Sequence, residues 1–114
     1  MLFYYQVCNY YLFAPPVDMR KGMDSLCGIV YNELGKNPLS GDLFIFINRR
    51  KSQIKMLHWQ GDGYAVFYKR LEKGTYEIPK AELLTGEQVL FLLQGVVLKS
   101  VRKHKRYAHN FVNN

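Results

Sequence analysis

The chain has 114 residues, of which 48% are hydrophobic and 22% are charged, and its formal net charge is +7. This length indicates one domain, and this balance of residues excludes an intrinsically disordered chain. Because 16 basic side chains face 9 acidic ones, the expected partner is anionic: nucleic acid first, an anionic membrane surface second and an acidic protein third. The nine Tyr and seven Phe residues favour β-strands, since aromatic side chains pack well on a pleated surface.

The cysteines and the N-terminal stretch indicate the cellular compartment of the protein. Cys8 and Cys27 are too few for a disulfide framework and lack metal-ligand spacing, so we interpret them as free thiols in a reducing cytosol. The N-terminal stretch is apolar but has no basic n-region and no small-residue cleavage site, and it is too short and too rich in Tyr to cross a bilayer. These features predict a cytoplasmic protein with no membrane partner.

The first predicted element is a strand within Phe3–Phe13, an aromatic run with weak alternation. The segment Ala14–Pro16 ends this strand, because proline cannot donate a hydrogen bond to a strand ladder and biases the residue before it.

An amphipathic helix is expected next. Apolar residues recur at three- and four-residue spacing between Met19 and Leu34, which is typical of one buried helix face. Asp18 is the expected N-cap of this helix, and Gly35 is its expected C-terminal stop. Because glycine weakens a first helical turn, a start nearer Gly22 is the alternative.

The middle of the chain, Asn37–Pro79, predicts strands joined by turns that carry most of the charge. Leu43–Ile47 is a continuous apolar run, as in a strand that is buried on both faces. A return strand over Ile54–Trp59 and a further strand over Tyr64–Leu71 follow in meander order. A short strand over Thr75–Ile78 completes the predicted sheet.

The C-terminal part of the domain predicts a short helix. Thr85 and Gln88 have the spacing of a capping box, and Gly95 is the expected end of the helix. The predicted fold is therefore α+β: an antiparallel, meander-rich sheet with one amphipathic helix after the first strand and a short helix after the last. We expect a single domain over residues 1–98 and a basic C-terminal tail over residues 99–114.

Cationic side chains cluster in the turns, on two strands and in the tail, and a sheet with cationic rims suits a polyanion. They predict phosphate contacts on DNA or RNA. The predicted nucleic-acid-binding residues are Arg20, Lys21, Arg49, Arg50, Lys51, Lys55, Lys69, Arg70, Lys99, Arg102, Lys103, Lys105 and Arg106.

Each cationic group also has a simpler interpretation, which the sequence leaves open. The tail can be a solvated extension, and the hairpin tip Arg49–Lys51 can be a charged turn that only stays in water. Arg20 can pair with a nearby carboxylate instead of binding an anion at the helix start. Trp59 and Tyr68 can stack bases, or they can be aromatic residues of the core or of a partner interface.

No catalytic centre is expected. A metal-dependent strand-transfer site needs two or three converging carboxylates, and no carboxylate lies within a predicted buried strand. The histidines lack the paired spacing of a zinc site, and no nucleophile elbow or phosphate-cradling loop occurs. The acids and histidines considered are Asp18 as a cap, Asp24 on a helix surface, Asp42 and Asp62 in turns, and His58, His104 and His109. We therefore predict no enzyme, no metal and no cofactor.

A series of strings along the chain resembles a known family. The strings are Val17–Leu26, Asn37–Pro38, Ser40–Gly41, Leu43–Phe46, Asn48–Arg50, Ile54–Leu57, Trp59, Gly61–Gly63, Tyr68–Glu72, Leu84–Thr85 and Leu92–Gly95. In this order they resemble the small accessory protein of insertion-sequence-66-type bacterial transposons, called TnpB or Orf2-like. The similarity covers about Tyr11 to Leu98, and the Tyr-rich N-terminus and the basic tail depart from it.

The resemblance implies participation in transposition beside a separate, larger transposase that carries the catalytic carboxylates. DNA binding is inferred from the charge pattern and not from the resemblance. We expect a non-catalytic accessory protein that binds DNA, helps to assemble the transposase complex, or does both, with the transposase and another transposon-encoded accessory protein as partners. The alternative is a protein-interaction module that binds the transposase without DNA contact, and a divergent metal-dependent nuclease is a third. The oligomeric state stays open.

Overall fold

The computed structural model describes Val7 and residues 9–95. Within these residues two helices flank a five-stranded mixed sheet with the strand order β4-β3-β2-β1-β5. The elements in chain order are β1 (Tyr10–Phe13), α1 (Met23–Asn32), β2 (Leu43–Ile47), β3 (Gln53–Trp59), β4 (Tyr64–Arg70), β5 (Leu83–Leu84) and α2 (Gly86–Gln94). The predicted α+β class, with a helix after the first strand and a short helix near the C-terminus, is confirmed.

The sheet combines the predicted meander with one parallel pair. Strands β2, β3 and β4 are antiparallel neighbours, as expected. Strand β1 runs parallel to β2, with Tyr10 opposite Leu43 and Phe13 opposite Phe46. A parallel pair needs a crossover connection, and α1 provides it. Both strands therefore end at the same edge of the sheet.

The expected strand over Thr75–Ile78 is wrong, because this segment packs across the sheet instead of pairing with it. Tyr76 is only 1% exposed. Its backbone N–H donates to the carbonyl oxygen of Lys51 at 2.7 Å, and its hydroxyl donates to the carbonyl oxygen of Lys69 at 3.3 Å. Burial raises the pKa of Tyr76 to about 12. Strand β4 therefore forms one edge of the sheet, and β5 forms the opposite edge, where Leu84 pairs with Tyr10.

The first strand and its helix are shorter than expected. Strand β1 begins at Tyr10, and most of the predicted segment before it lies outside the described residues. Helix α1 begins at Met23 with Gly22 as N-cap, which confirms the alternative start. Asp18 as its cap is wrong, because Asp18 instead accepts the backbone N–H of Arg20 in a turn before the helix.

The capping residues of the two helices can be compared with those that the sequence predicts. Helix α1 has Glu33 as C-cap, and Gly35 follows at φ +65°. In α2 the capping box of Thr85 and Gln88 is present, and Gly95 ends the helix in the left-handed conformation at φ +62°. Both features of α2 are as predicted.

A hydrophobic core lies on each face of the sheet. Helix α2 and the segment before it cover one face, whose buried residues include Leu12, Ile45, Ile54, Met56, Tyr76 and Leu92. Helix α1 covers the other face, whose buried residues include Phe13, Leu26, Val30, Phe44, Phe46 and Leu57. All five residues of β2 are buried, which confirms the prediction for the apolar run.

Candidate nucleic-acid interface

The parallel pairing of β1 and β2 creates a cleft at their carboxyl ends. The loop of residues 14–22 leaves β1 and the loop of residues 48–52 leaves β2 at the same edge of the sheet. The cleft between them has a volume of about 630 Å³. We call it the arginine cleft; its lining residues are Pro16, Val17, Asp18, Met19, Arg20, Asn48, Arg49, Arg50 and Gln53.

The loop of residues 48–52 is held by its own side chain Asn48. The Oδ1 atom of Asn48 accepts the backbone N–H groups of Ser52 and Gln53, both at 2.9 Å. Lys51 has a positive φ of 58°, and its N–H donates to the carbonyl oxygen of Asn48 at 3.0 Å. The exposed Arg49 and Arg50 therefore extend from a turn with a defined shape.

The loop of residues 14–22 is anchored to the sheet by Val17. The N–H of Val17 donates to the carbonyl oxygen of Ile47 at 2.9 Å, and its side chain is buried against the α1-side core. Met19 packs against the same core and is half-buried. These contacts bring Arg20 to the cleft that Arg49 and Arg50 also line.

Arg20 and Asp18 form an exposed ion pair on the cleft. The Nη2 atom of Arg20 lies 2.6 Å from Oδ2 of Asp18, and its Nε lies 3.1 Å from both carboxylate oxygens. The hydrogen bonds from Arg20 hold the pKa of the Asp18 carboxyl well below its usual range, and the pKa of Arg20 is raised in return. The interpretation that Arg20 pairs with a nearby carboxylate is confirmed, and part of its charge is neutralised at the site.

A polar strip continues from the cleft across β3 and β4. Gln53 is opposite Arg70 and Lys55 is opposite Tyr68, and side chains of paired residues share one face of a sheet. The Nζ atom of Lys55 donates to the carbonyl oxygen of Lys21 at 2.9 Å and lies 5.9 Å from the ring centroid of Tyr68. The hydroxyl of Tyr68 donates to Oε1 of Gln53 at 2.8 Å. This strip lies on the α1 face, beside the arginine cleft.

The other candidate cations do not line the arginine cleft itself. Lys69 is on the opposite face, where its Nζ donates to the carbonyl oxygen of Leu93 at 2.9 Å, in the last turn of α2. Lys51 lines a smaller neighbouring cavity of about 240 Å³ together with Arg49. Arg70 pairs with Glu72 at 3.4 Å, with both side chains exposed. The tail candidates Lys99, Arg102, Lys103, Lys105 and Arg106 lie outside the described residues.

The two aromatic candidates occupy different places. Trp59 packs edge-on against Tyr64 with ring centroids 5.0 Å apart, at the end of β3 that is remote from Gln53. Those two ends are about 20 Å apart by the rise of a strand. Tyr68 is 48% exposed and belongs to the strip beside the cleft. A base that reaches the cleft can therefore meet Tyr68 more readily than Trp59.

Sequence reasoning did not identify Pro16, Met19, Asn48 or Gln53 as parts of a site. Asn48 directly precedes the Arg-Arg pair and Gln53 follows it by three residues, and these positions could have drawn attention to them. For Pro16 and Met19 the sequence gives no sign of contact with Arg49 and Arg50, because only the pairing of β1 with β2 brings the two loops together.

The acids of the described domain have separate places. Asp42 is buried beside Ser40, whose hydroxyl donates to it at 2.8 Å, and Asn9 donates to its other oxygen at 3.2 Å. Among Val7 and residues 9–95, no group of three or more His, Cys, Asp or Glu side chains is placed to hold a metal ion. Within the same part of the chain, neither helix has the length and apolar character needed to cross a membrane.

Comparisons with known proteins identify related sequences. The sequence profile of one protein family, described as IS66 Orf2 like protein, matches residues 8–103. Uncharacterized protein y4hO of Sinorhizobium fredii (strain NBRC 101917 / NGR234) is 39% identical over 83 residues, which are 69% of this chain and 72% of that protein. Uncharacterized protein y4jC of the same strain is 36% identical over 92 residues, which are 77% of this chain and 79% of that protein. No solved structure matches.

Proposed function

We propose that this chain, which belongs to the IS66 Orf2-like family, serves transposition as a non-catalytic protein that binds the phosphate backbone of DNA. The family gives the chain an accessory role in transposition, and the arginine cleft supports the DNA contact. The separate structural contacts of Asp18 and Asp42 support a role without catalysis. The same proposal places the protein in the cytoplasm, beside a transposase.

One observation carries the DNA proposal. Arg20, Arg49 and Arg50 come from two loops that are far apart in sequence, and they line the same cleft. Guanidinium groups match phosphate oxygens with two parallel hydrogen bonds, so arginines that converge on one surface favour phosphate binding. Lys55 and Arg70 lie on the adjoining strip and extend the cationic surface along β3 and β4.

The proposal predicts a salt-dependent loss of DNA affinity when either Arg49 or Arg50 is neutralised. Each phosphate contact adds about 0.9 to the slope of log affinity against log salt concentration on duplex DNA. We expect Arg49→Gln and Arg50→Gln each to weaken binding and to reduce this slope by about 0.9. Fluorescence anisotropy titrations with a labelled duplex over a series of salt concentrations measure both quantities.

Lys36→Gln is the matched control, since it removes the same charge from a residue that does not line the cleft. The Nζ atom of Lys36 lies 4.6 Å from the ring centroid of Tyr11. For Lys36→Gln, the slope of log DNA affinity against log salt concentration should equal that of the unmodified protein. Equal losses in all three variants would mean that net charge alone attracts DNA, and the cleft would then have no part in binding.

A second function is favoured by the outer face of α2. Leu90 and Phe91 are 57% and 65% exposed and follow each other in the chain, and contiguous exposed apolar surface marks protein contacts. This surface supports contact with the transposase or with another transposon-encoded accessory protein. If the protein is only such a module, it will co-purify with its partner and will not retard DNA, and Leu90→Ser with Phe91→Ser will abolish the co-purification.

A further inference from the structure

We propose that the arginine cleft binds one unpaired nucleotide of DNA, with its phosphate on Arg49 and Arg50 and its base against the wall formed by Pro16 and Met19. This inference rests on the proposed DNA binding and specifies which form of DNA the cleft takes. It concerns an unpaired end or a single-stranded stretch, in contrast to the regular duplex.

The shape of the cleft favours a single nucleotide. Its volume of about 630 Å³ lies within the usual range for small-molecule sites, about 300–1,000 Å³. A flat or convex cationic surface is enough to meet the phosphates along a duplex. A concave site between two loops instead admits a group that projects from the backbone, and only an unpaired base can do so without the cost of unstacking a pair.

The lining of the cleft combines the surfaces that a nucleotide needs. Pro16 is exposed, Met19 is half-buried, and Val17 is buried beneath them, so one wall is apolar. Enzymes that bind an extruded base hold it between aromatic and apolar side chains. Gln53 also lines the cleft, and because Tyr68 donates to its Oε1, its NH₂ group can serve as the donor to a base edge.

The charges set the direction of the bound nucleotide. On the loop that carries Pro16 and Met19, Asp18 pairs with Arg20, so the charges of these two side chains largely offset each other. Arg49 and Arg50 lie on the other loop, within a turn that Asn48 holds in shape. The phosphate is therefore drawn to the loop of residues 48–52, while the base and sugar lie toward the loop of residues 14–22. The hydroxyl or amino groups of the nucleotide can donate to Asp18.

The test compares two labelled DNA probes with equal numbers of phosphates, a blunt duplex and a duplex with a short single-stranded overhang. We expect the overhang probe to bind about tenfold more tightly, since packing of one base has an effect of that order. A 2-aminopurine placed in the overhang should show increased emission when the protein separates it from its neighbours. Equal affinity for the two probes would overturn the inference and leave the proposed duplex binding intact.

The matched variants separate the base wall from the phosphate contacts. Met19→Gln keeps the length of the side chain but makes it polar, so the variant should bind the overhang probe and the blunt duplex with equal affinity. Met23→Gln is the control, because Met23 is 40% exposed on α1 and does not line the cleft. If circular dichroism shows that Met19→Gln does not fold, the 2-aminopurine emission with the unmodified protein tests the inference instead. An emission that does not change on binding would overturn the inference. Failure of both probes to bind would overturn the inference and the proposed function together.

Discussion

Asp18 determines how much of the charge of Arg20 reaches the cleft. The carboxylate occupies Nε and Nη2 of the guanidinium, and both side chains are exposed, at 45% for Asp18 and 90% for Arg20. A phosphate that contacts Arg20 must compete with this pair or bind the nitrogen that remains. Arg20 is therefore expected to contribute less to DNA affinity than Arg49 or Arg50.

Replacement of Asp18 tests this competition. Asp18→Asn removes the competing carboxylate and raises the net charge by one, so DNA affinity should increase severalfold at low salt. The slope against salt concentration should steepen by about 0.9 if Arg20 gains a full phosphate contact. Anisotropy titrations measure both. Weaker binding by this variant would show instead that the ion pair holds Arg20 in the position that binds DNA.

At the scale of the element, the stability of α2 depends on the contacts of its C-terminal end with Leu71 and Lys69. Gly95 closes the helix at φ +62°, and a Cβ built there would lie 2.5 Å from Cδ1 of Leu71. Lys69 donates to the carbonyl oxygen of Leu93 in the same last turn. Lys69, which the sequence predicts to contact DNA, thus also stabilises the end of a helix.

Gly95→Ala should therefore destabilise the domain. The left-handed conformation costs a residue with a Cβ about 1–2 kcal/mol, and the clash with Leu71 adds to this cost. Urea denaturation followed by circular dichroism measures the free energy of unfolding. Gly63→Ala is the control, since Gly63 has no positive φ and no atom within 4 Å of a built Cβ. Equal stability of the two variants would contradict the role given to the end of α2.

At the scale of the whole molecule, the cationic side chains divide between the faces of the sheet. Arg20, Arg49 and Arg50 line one cleft, Lys55 lies on the adjoining strip, and Lys69 faces the other way. The sheet separates these groups because neighbouring residues of a strand point to opposite faces. The fold therefore presents several exposed cations on one side of the sheet and uses the opposite side for packing of α2.

The stability of the whole domain should also depend on pH through His58. This side chain is 1% exposed, and its Nε2 lies 3.1 Å from the carbonyl oxygen of Gly41. Burial lowers its pKa below the ordinary 6.5, although the bond to Gly41 and the charge of Asp42 oppose the shift. The unfolded chain therefore binds a proton more readily than the folded one. The contribution of neutral His58 to the free energy of unfolding is fully present above pH 6.5. It is lost as the pH falls below 6.5 toward the pKa of His58 in the folded chain.

We expect the free energy of unfolding to decrease between about pH 7.5 and about pH 5.5, with a slope of at most about 1.4 kcal/mol per pH unit from this group. Urea denaturation at a series of pH values measures it. His58→Gln should reduce this slope, even though it lowers stability at every pH. An unchanged slope in that variant would assign the effect to other titrating groups.

The local signals of the sequence predicted a large part of the fold. The apolar run of β2 indicated a strand buried on both faces, and Thr85 with Gln88 indicated the start of α2. Both predictions hold because they depend on neighbours within a few residues. The predicted strand over Thr75–Ile78 failed because its alternation fits either a strand or a segment that inserts Tyr76 into the core, and only distant partners distinguish the two.

By itself, the sequence determined the α+β class, the family and the excess of cationic side chains, since composition, local spacing and motif order carry this information. Only the tertiary structure decided which cations share a surface. The pairing of β1 with β2 joins loops that are about thirty residues apart, and it places Arg20 beside Arg49 and Arg50. A strand pattern specifies which faces are apolar but not the neighbour or the direction of the strand, because those depend on the packing of the whole domain.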